Sequence, residues 1–280
     1  MRIAAFGDIH SNHIAFEACI DYMKKRSVDA VVLLGDYITD CACPRKTLEL
    51  INDIMKRYPC RIIRGNREEY IFSQRQHPDV NWKKGSRFGS LYYTYNEMKN
   101  EDMDYFESLP IYQKASFDGV EEFEMCHGSM TQSRGMVLPW NAEMQNMFDN
   151  MQTRLVLCAH SHRAFICRQG EKLIVNGGSV GLPTDRQNNA EFAIIDYVDG
   201  EWSAELVKVK YDIDAVISEF KNCGFCDTAG VWARAVIKTL KTGRCYTIPC
   251  IEVADRIALN TGLDINSEDV WERVAMELKL

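Results

Sequence analysis

Six short polar clusters, each placed where an apolar run stops, constrain this 280-residue chain more than any other feature. They are Asp8-Ile9-His10, Gly35-Asp36, Gly65-Asn66-Arg67-Glu68, His127-Gly128, His160-Ser161-His162 and Asn176-Gly177-Gly178-Ser179. The runs that end at the first five, over 3–6, 30–34, 60–63, 122–126 and 155–159, are too short for helices and read as buried strands. Ser11 or Asn12 can cap a helix running to about Arg26, and Pro44 can start another. That β-α-β-α-β rhythm predicts parallel strands joined by crossover helices. In such sheets ligands gather outside the carboxyl ends of the strands, so one rim can collect Asp8, Asp36, Asn66, His127 and His160.

The rhythm then changes. Residues 68–108 read as helical, with Phe88, Leu91, Tyr92 and Tyr95 as a core-packing stripe. Strand patterns return at 111–117, 163–168, 171–176, 191–198 and 202–210, with a helix at 141–152. Tight turns such as Asp199-Gly200 predict antiparallel hairpins. From 213 onward the spacing is helical again, with Gly224, Gly243 and Gly262 as stops. The expected fold is α/β, a four-layer α-β-β-α sandwich in which two packed mixed sheets are flanked by helices. It occupies residues 1–212, and a helical appendage over 213–280 serves as a cap or a homodimer surface.

The formal charge of −7 gives no global field for a nucleic-acid polymer or an anionic membrane. No run approaches the roughly 18 apolar residues of a membrane span, and the short apolar start before Asp8 does not read as a signal peptide. Eleven cysteines in such a chain predict reduced thiols and a cytoplasmic location. Cys19, Cys126, Cys158 and Cys167 lie in apolar runs and read as small core residues. Cys41 and Cys43 read as part of a loop at the rim. Cys223, Cys226, Cys245 and Cys250 have the wrong spacing for a zinc site.

Four of the six histidines fall in the clusters, and no cysteine does. Carboxylate, imidazole and amide donors suit Mn²⁺, Fe or Zn²⁺ rather than a soft thiolate-bound metal. The order Asp-x-His, Gly-Asp, Gly-Asn-x-Glu, His-Gly and x-His-x-His resembles the calcineurin-like metallophosphoesterase superfamily over roughly residues 1–210. The segment Asn176 to Pro183 is similar to its small bacterial and archaeal phosphodiesterase branch, although Gly177 stands where that branch commonly has proline. The resemblance implies one metal held by Asp8, His10 and His162, a second held by Asn66, His127 and His160, and Asp36 between them. Mn²⁺ is the first choice, with Fe, Zn²⁺ or Ni²⁺ as others. It further implies hydrolysis by a hydroxide bridging the two ions, and Asp36, Arg67 and His127 are the residues expected to be catalytic here.

Arg67 departs from the histidine that many members carry at this position. An imidazole near pKa 6.5 donates a proton at neutral pH; a guanidinium does not, but its planar fork suits a phosphate. Substrates with good leaving groups follow from this: a small nucleotide-like phosphodiester or phosphoanhydride, such as a dinucleoside polyphosphate. A phosphomonoesterase or phosphoprotein phosphatase, and a non-catalytic scaffold of the same fold, are the alternatives. Asn12, Asn66, Arg67, Gly178 and Ser179 are candidate substrate contacts. Asn12 also reads as a helix cap, Glu68 as a residue that orients a neighbouring ligand, and His13 as an alternative acid unless its helix turns it away.

Overall fold

The computed structural model describes residues 1–78 and 82–280. Its first sheet contains β1 (Arg2–Phe6), β2 (Ala30–Leu33), β3 (Cys60–Ile62), β9 (Ala190–Val198) and β10 (Glu201–Val209), in the order β10-β9-β1-β2-β3. Its second contains β4 (Tyr112–Ala115), β5 (Phe123–Cys126), β6 (Leu155–Cys158), β7 (Phe165–Gln169) and β8 (Lys172–Asn176), in the order β4-β5-β6-β8-β7. In each sheet three adjacent strands run parallel, β1-β2-β3 and β5-β6-β8. The remaining strands pair antiparallel at the sheet margins. Both sheets are therefore mixed, as expected.

Alternation along the strands explains the layers. In β1, Ile3 and Ala5 face the core between the sheets with Phe123, Leu157 and Ile195. Ala4 and Phe6 face outward onto α1 (His13–Lys24), where Phe16 and Met23 are buried. On the outer face of the second sheet, Val156, Cys158 and Ile174 pack under Met144, Met147 and Phe148 of α6 (Ala142–Asn150). A period of two in β1 thus serves two cores at once.

Three helices fill much of the stretch expected to be helical over 68–108: α3 (Asn66–Gln76), α4 (Gly89–Glu97) and α5 (Asn100–Ser108). The chain between α3 and α4 is not helical where described, because Pro78, Gly85 and a turn at Ser86 break it; residues 79–81 lie outside the described residues. Within the stripe, Leu91 is buried with Phe88 and Tyr95 against it, as expected of core packing. Tyr93 on the next face joins a different core.

That different core belongs to the C-terminal helices. These are α7 (Ile213–Asn222), α8 (Phe225–Ala229), α9 (Val231–Thr242), α10 (Thr247–Thr261) and α11 (Glu268–Leu278), with α2 (Pro44–Arg57) earlier in the chain. The five-residue α8 has too few residues to show a period and adds one helix to the four that the sequence spacing indicates. Phe220, Phe225, Trp232 and Trp271 are buried together, and Cys41, Ala42, Tyr93 and Leu182 from the first part of the chain share their cluster. No helix among the described residues is long and apolar enough to cross a membrane.

Two glycines show what the turns demand. Asp199 and Gly200 both have positive φ, 51° and 83°, between the paired residues Val198 and Glu201. This is the two-residue hairpin that strand twist favours. Gly35 has φ 92°, and a Cβ there would lie 2.4 Å from the Gly65 nitrogen. Added bulk has space at Gly200 but none at Gly35. Left-handed strain costs roughly 1–3 kcal/mol, so Gly200→Ala should lose about that much stability in urea unfolding and Gly35→Ala distinctly more. Equal losses would show that the contact between the two turns does not matter.

Candidate metal centre

The parallel strands of both sheets point to one rim, and the polar clusters follow their carboxyl ends. Asp8 follows β1, Asp36 follows β2, Asn66 follows β3, His127 follows β5 and His160 follows β6. To turn from a strand into the crevice the backbone goes left-handed. Asp8, His10, Asp36, His160 and His162 have φ of 54°, 49°, 54°, 65° and 51°. Non-glycine residues rarely adopt this geometry, and strain of this kind gathers at functional sites.

The ligand atoms converge in two groups, Asp8–His10–His162 and Asp36–His127–His160, each within 4.8 Å. The Nε2 atoms of His10 and His162 are 3.0 Å apart. His162 Nε2 is 3.4 Å from Asp8 Oδ1, and His10 Nε2 is 3.8 Å from the same atom and 3.9 Å from Asp36 Oδ2. On the other side, His127 Nε2 lies 3.3 Å from Asp36 Oδ1 and 3.2 Å from Asn66 Oδ1. Asp36 therefore lies within reach of histidines from both groups. All seven residues expected as ligands are gathered in one crevice.

The rings are oriented from behind. His127 Nδ1 donates to the Leu34 carbonyl at 2.7 Å, and His162 Nδ1 donates to the Leu182 carbonyl at 2.8 Å. His10 Nδ1 sits 3.0 Å from Asp40 Oδ2. For His127 and His162 the carbonyl fixes the proton on Nδ1, and for His10 the nearby carboxylate favours it there without a formed hydrogen bond. This leaves the Nε2 lone pairs aimed into the crevice, as metal ligation requires. Asp8 Oδ1 is buried without a hydrogen-bond partner. A buried carboxylate oxygen ringed by imidazole lone pairs is costly alone and fits a cation.

Protonation points the same way. Burial would lower the His127 imidazole, but Asp36 and Asp8 outweigh it and hold it up at about 10. Burial, reinforced by His127, pushes His160 down to about 4. Burial would raise Asp36, yet His127, His10 and Arg67 hold it well below the usual carboxylate range. Protons shared among these groups supply the positive charge that a metal would bring.

The surrounding loops are held by buried polar groups. Glu68 accepts from the backbone N–H of Gly65 at 2.8 Å, Asp36 at 2.9 Å, Tyr37 at 2.8 Å and Ile38 at 3.4 Å. It faces backbone rather than the crevice and ties the Gly65 turn to the Asp36 turn. Ser179 Oγ donates to the Asp8 carbonyl and accepts from Leu182 N–H, both at 2.9 Å. The Gly178 N–H donates to Asn176 Oδ1 at 2.9 Å. Asn12 caps α1 by accepting from Ala15 N–H at 3.1 Å, and its amide donates to the Gly181 carbonyl at 2.9 Å. Ser179 thus braces the Asp8 turn directly, Asn12 ties α1 to Gly181, and Gly178 spends its N–H within its own turn.

Arg67 lies at the edge of the crevice. Its N–H donates to Asp36 Oδ1 at 2.8 Å from the start of α3, and Nε is 4.0 Å from Asp36 Oδ2. Its Nη2 is 3.0 Å from Asp40 Oδ2, so its carboxylate partner is buried rather than on the surface. Asp40 did not stand out in the sequence, because nothing marks one aspartate in Thr39-Asp40-Cys41 as special. Burial would raise its carboxyl, yet Arg67 and His10 hold it low.

His13 points away from the crevice, with Nδ1 3.4 Å from Glu219 of α7. Cys43 Sγ donates to the same Glu219 at 3.2 Å, and these three residues form the third group of possible metal ligands among the described residues. Lys46 Nζ pairs with Glu219 at 2.5 Å and already neutralises it. Cys223, Cys226, Cys245 and Cys250 belong to none of these three groups.

Comparison with known proteins adds the family. An uncharacterized protein from Methanocaldococcus jannaschii, MJ0912, is 26% identical over 228 residues, covering 75% of this chain and 88% of that one. A metallophosphoesterase from Sphaerobacter thermophilus has a similar fold, with TM-score 0.69 and 23% identity over 87% of this chain and all of that one. The hypothetical protein PH1004 from Pyrococcus horikoshii matches with TM-score 0.70 and 22% identity, over 87% of this chain and 99% of that one. Such coverage exceeds what residues 1–212 could supply, so the likeness of fold extends into the C-terminal helices. Residues 1–200 match the model of the calcineurin-like phosphoesterase superfamily domain, a family that uses divalent metal ions, and the chain belongs to that superfamily.

Proposed function

We propose that this chain is a metal-dependent phosphoric ester hydrolase acting on a phosphodiester or phosphoanhydride bond of a small nucleotide-like substrate. The observation that carries the reading is the set of imidazoles whose Nδ1 atoms are engaged from behind. It leaves Nε2 of His10, His127 and His162 converging on Asp8 and Asp36. Asp8, His10 and His162 would hold one ion, Asn66, His127 and His160 the other, and Asp36 would lie between. When bound, such a pair activates water and neutralises charge on the phosphoryl oxygens. Mn²⁺ is the ion we assign first. Eleven free thiols support a reducing compartment, and we place the protein in the cytoplasm.

The chain's own contribution is placement and charge. The Arg67 Nε is buried with no hydrogen-bond partner beside Asp36, which supports a role as a phosphate donor. A cavity of about 120 Å³ adjoins it, lined by Arg67, Tyr70, Arg87, Phe88 and Trp232 among others. Guanidinium groups and aromatic faces together suit a second anionic group and a flat ring. A larger hollow of about 430 Å³ lies at the opposite strand ends, around Glu121, Arg154 and Glu171. Its Arg154 is already paired with Glu121 at 2.5 Å, and no candidate ligand lines it.

Purified protein loaded with Mn²⁺ should hydrolyse an aryl phosphodiester or a dinucleoside polyphosphate faster than an aryl monoester. Losing even an outer partner of a metal ligand costs roughly 10–100-fold, so Asp36→Asn should lower metal-dependent turnover by at least that factor. No metal-dependent turnover across diesters, anhydrides and monoesters would refute the hydrolase reading. Arg67→Ala should raise KM roughly 10–100-fold, the size of one charge-assisted hydrogen bond, with metal content unchanged. Unaltered KM would remove Arg67 from the substrate site. Because His127 holds its proton up to about 10, Mn²⁺ uptake should release protons and tighten as pH rises from 6 to 8; calorimetry in buffers of different ionisation enthalpy measures both.

A further inference from the structure

The C-terminal helices reach the candidate metal centre through one hydrogen bond. Trp232, in the first turn of α9, is buried, and its indole Nε1 donates to Asp40 Oδ1 at 2.8 Å across 192 residues of chain. Asp40 is 1% exposed, so its charge depends on the groups packed around it. Its other oxygen, Oδ2, faces His10 Nδ1 at 3.0 Å and Arg67 Nη2 at 3.0 Å, and it accepts from Thr39 Oγ1 at 3.2 Å. The imidazole and the guanidinium approach at ion-pair distance but off the line of a good hydrogen bond. The indole bond is the well-aligned one.

The backbone here is strained as well. Thr39 and Asp40 have φ of 76° and 63°, and Thr39 is β-branched, for which a left-handed conformation is a true outlier. Such a conformation persists only where neighbours over-determine it. Two groups from outside the loop do so. Ser90 Oγ, on α4, accepts from Asp40 N–H at 2.7 Å, and Trp232 holds the carboxylate.

We infer that Asp40 is a positioning residue for the metal ligand His10 and for Arg67, and that Trp232 is the contribution of the C-terminal helices to the metal centre. This rests on the hydrolase reading for its purpose, though not for its test. A carboxylate opposite Nδ1 selects the tautomer that leaves Nε2 free and makes the imidazole a better donor to a metal. The same carboxylate anchors the Arg67 guanidinium at the mouth of the crevice. One buried anion thereby sets the place of a ligand and of a phosphate-binding group together. The indole N–H keeps that anion from rotating toward solvent or toward one cation alone.

The test uses the full chain and Mn²⁺ itself. Trp232→Phe keeps most of the packing and removes the N–H; Asp40→Asn keeps the shape and removes the charge. Calorimetric titration of metal-free protein should show Mn²⁺ affinity reduced about 10-fold in Trp232→Phe and roughly 10–100-fold in Asp40→Asn, the range for outer partners of metal ligands. Thermal unfolding of metal-free Trp232→Phe should stay close to that of the parent. The double variant should be no weaker than Asp40→Asn, because the two residues act as one unit. Parent-like Mn²⁺ affinity in Trp232→Phe would overturn the inference, as would a loss of metal-free stability with affinity unchanged. Since the titration needs no substrate, absent turnover overturns the hydrolase reading alone, and parent-like affinity in these variants overturns the positioning role alone.

Discussion

The Glu68 carboxylate is the contact on which the centre depends. It sits fully buried and takes backbone N–H groups from two separate turns, Gly65 on one side and Asp36, Tyr37 and Ile38 on the other. Charge-assisted hydrogen bonds to backbone are the strong kind, and here they join the ends of β2 and β3. Burial and the nearby Asp36 charge push this carboxyl up to about 7, against the pull of its donors. Tyr37 completes the join, since its hydroxyl donates to the Ile63 carbonyl at 2.5 Å and accepts from Gly35 N–H at 2.9 Å. The two turns form one rigid piece, and Asp36 and Asn66 ride on it.

Around that piece the chain accepts strain where ligands must turn inward. A left-handed residue costs about 1–2 kcal/mol, and several lie in sequence near one another. What offsets them is backbone hydrogen bonding between adjacent turns. Asp8 N–H donates to the Gly35 carbonyl at 3.1 Å, His10 to the Asp36 carbonyl at 2.9 Å and Ser11 to the Tyr37 carbonyl at 2.9 Å. From the other side Gly181 N–H donates to the Asp8 carbonyl at 2.9 Å. Gly181 has no alternative residue type, because a Cβ there would lie 1.9 Å from the Ile9 carbonyl oxygen. Ligand geometry is thus fixed by main chain first and by side chains second.

Much of this was legible in the sequence for a physical reason. Each strand that carries a candidate ligand is a short apolar run that ends abruptly at Asp, Asn or His, so burial pattern and chemistry changed at the same residue. The five strands that carry the clusters and the gathering of Asp8, His10, Asp36, Asn66, His127, His160 and His162 followed from that coincidence, and the other five strands followed from alternation and turn residues. The hairpin at Asp199-Gly200 was legible because its turn type demands those residues. Illegible were contacts that tie distant, locally ordinary residues. Asp40 looks like any loop aspartate until His10, Arg67 and Trp232 surround it, and Trp232 looks like any core aromatic on an amphipathic helix. The partner of Arg67 could not be read from its neighbours Glu68 and Glu69, because the nearest useful carboxylate is 27 positions upstream in a different turn. Helix α8 escaped notice because five residues cannot display a period.

The long reach from Asp40 to Trp232 has a consequence for how the protein is made. Synthesis proceeds from the N-terminus, and domains generally fold as units while the rest of the chain is still emerging. Here Asp8 meets His160 across 152 residues, and the indole that braces Asp40 comes later still. A nascent chain carries Asp8, His10 and Asp36 long before it carries the groups that aim them. Until α9 is made, Asp40 lacks the indole N–H that holds it in the finished structure. Completion of the centre therefore waits for α9, however early its first clusters are made. The order of the chain withholds a finished site until α9 is in place.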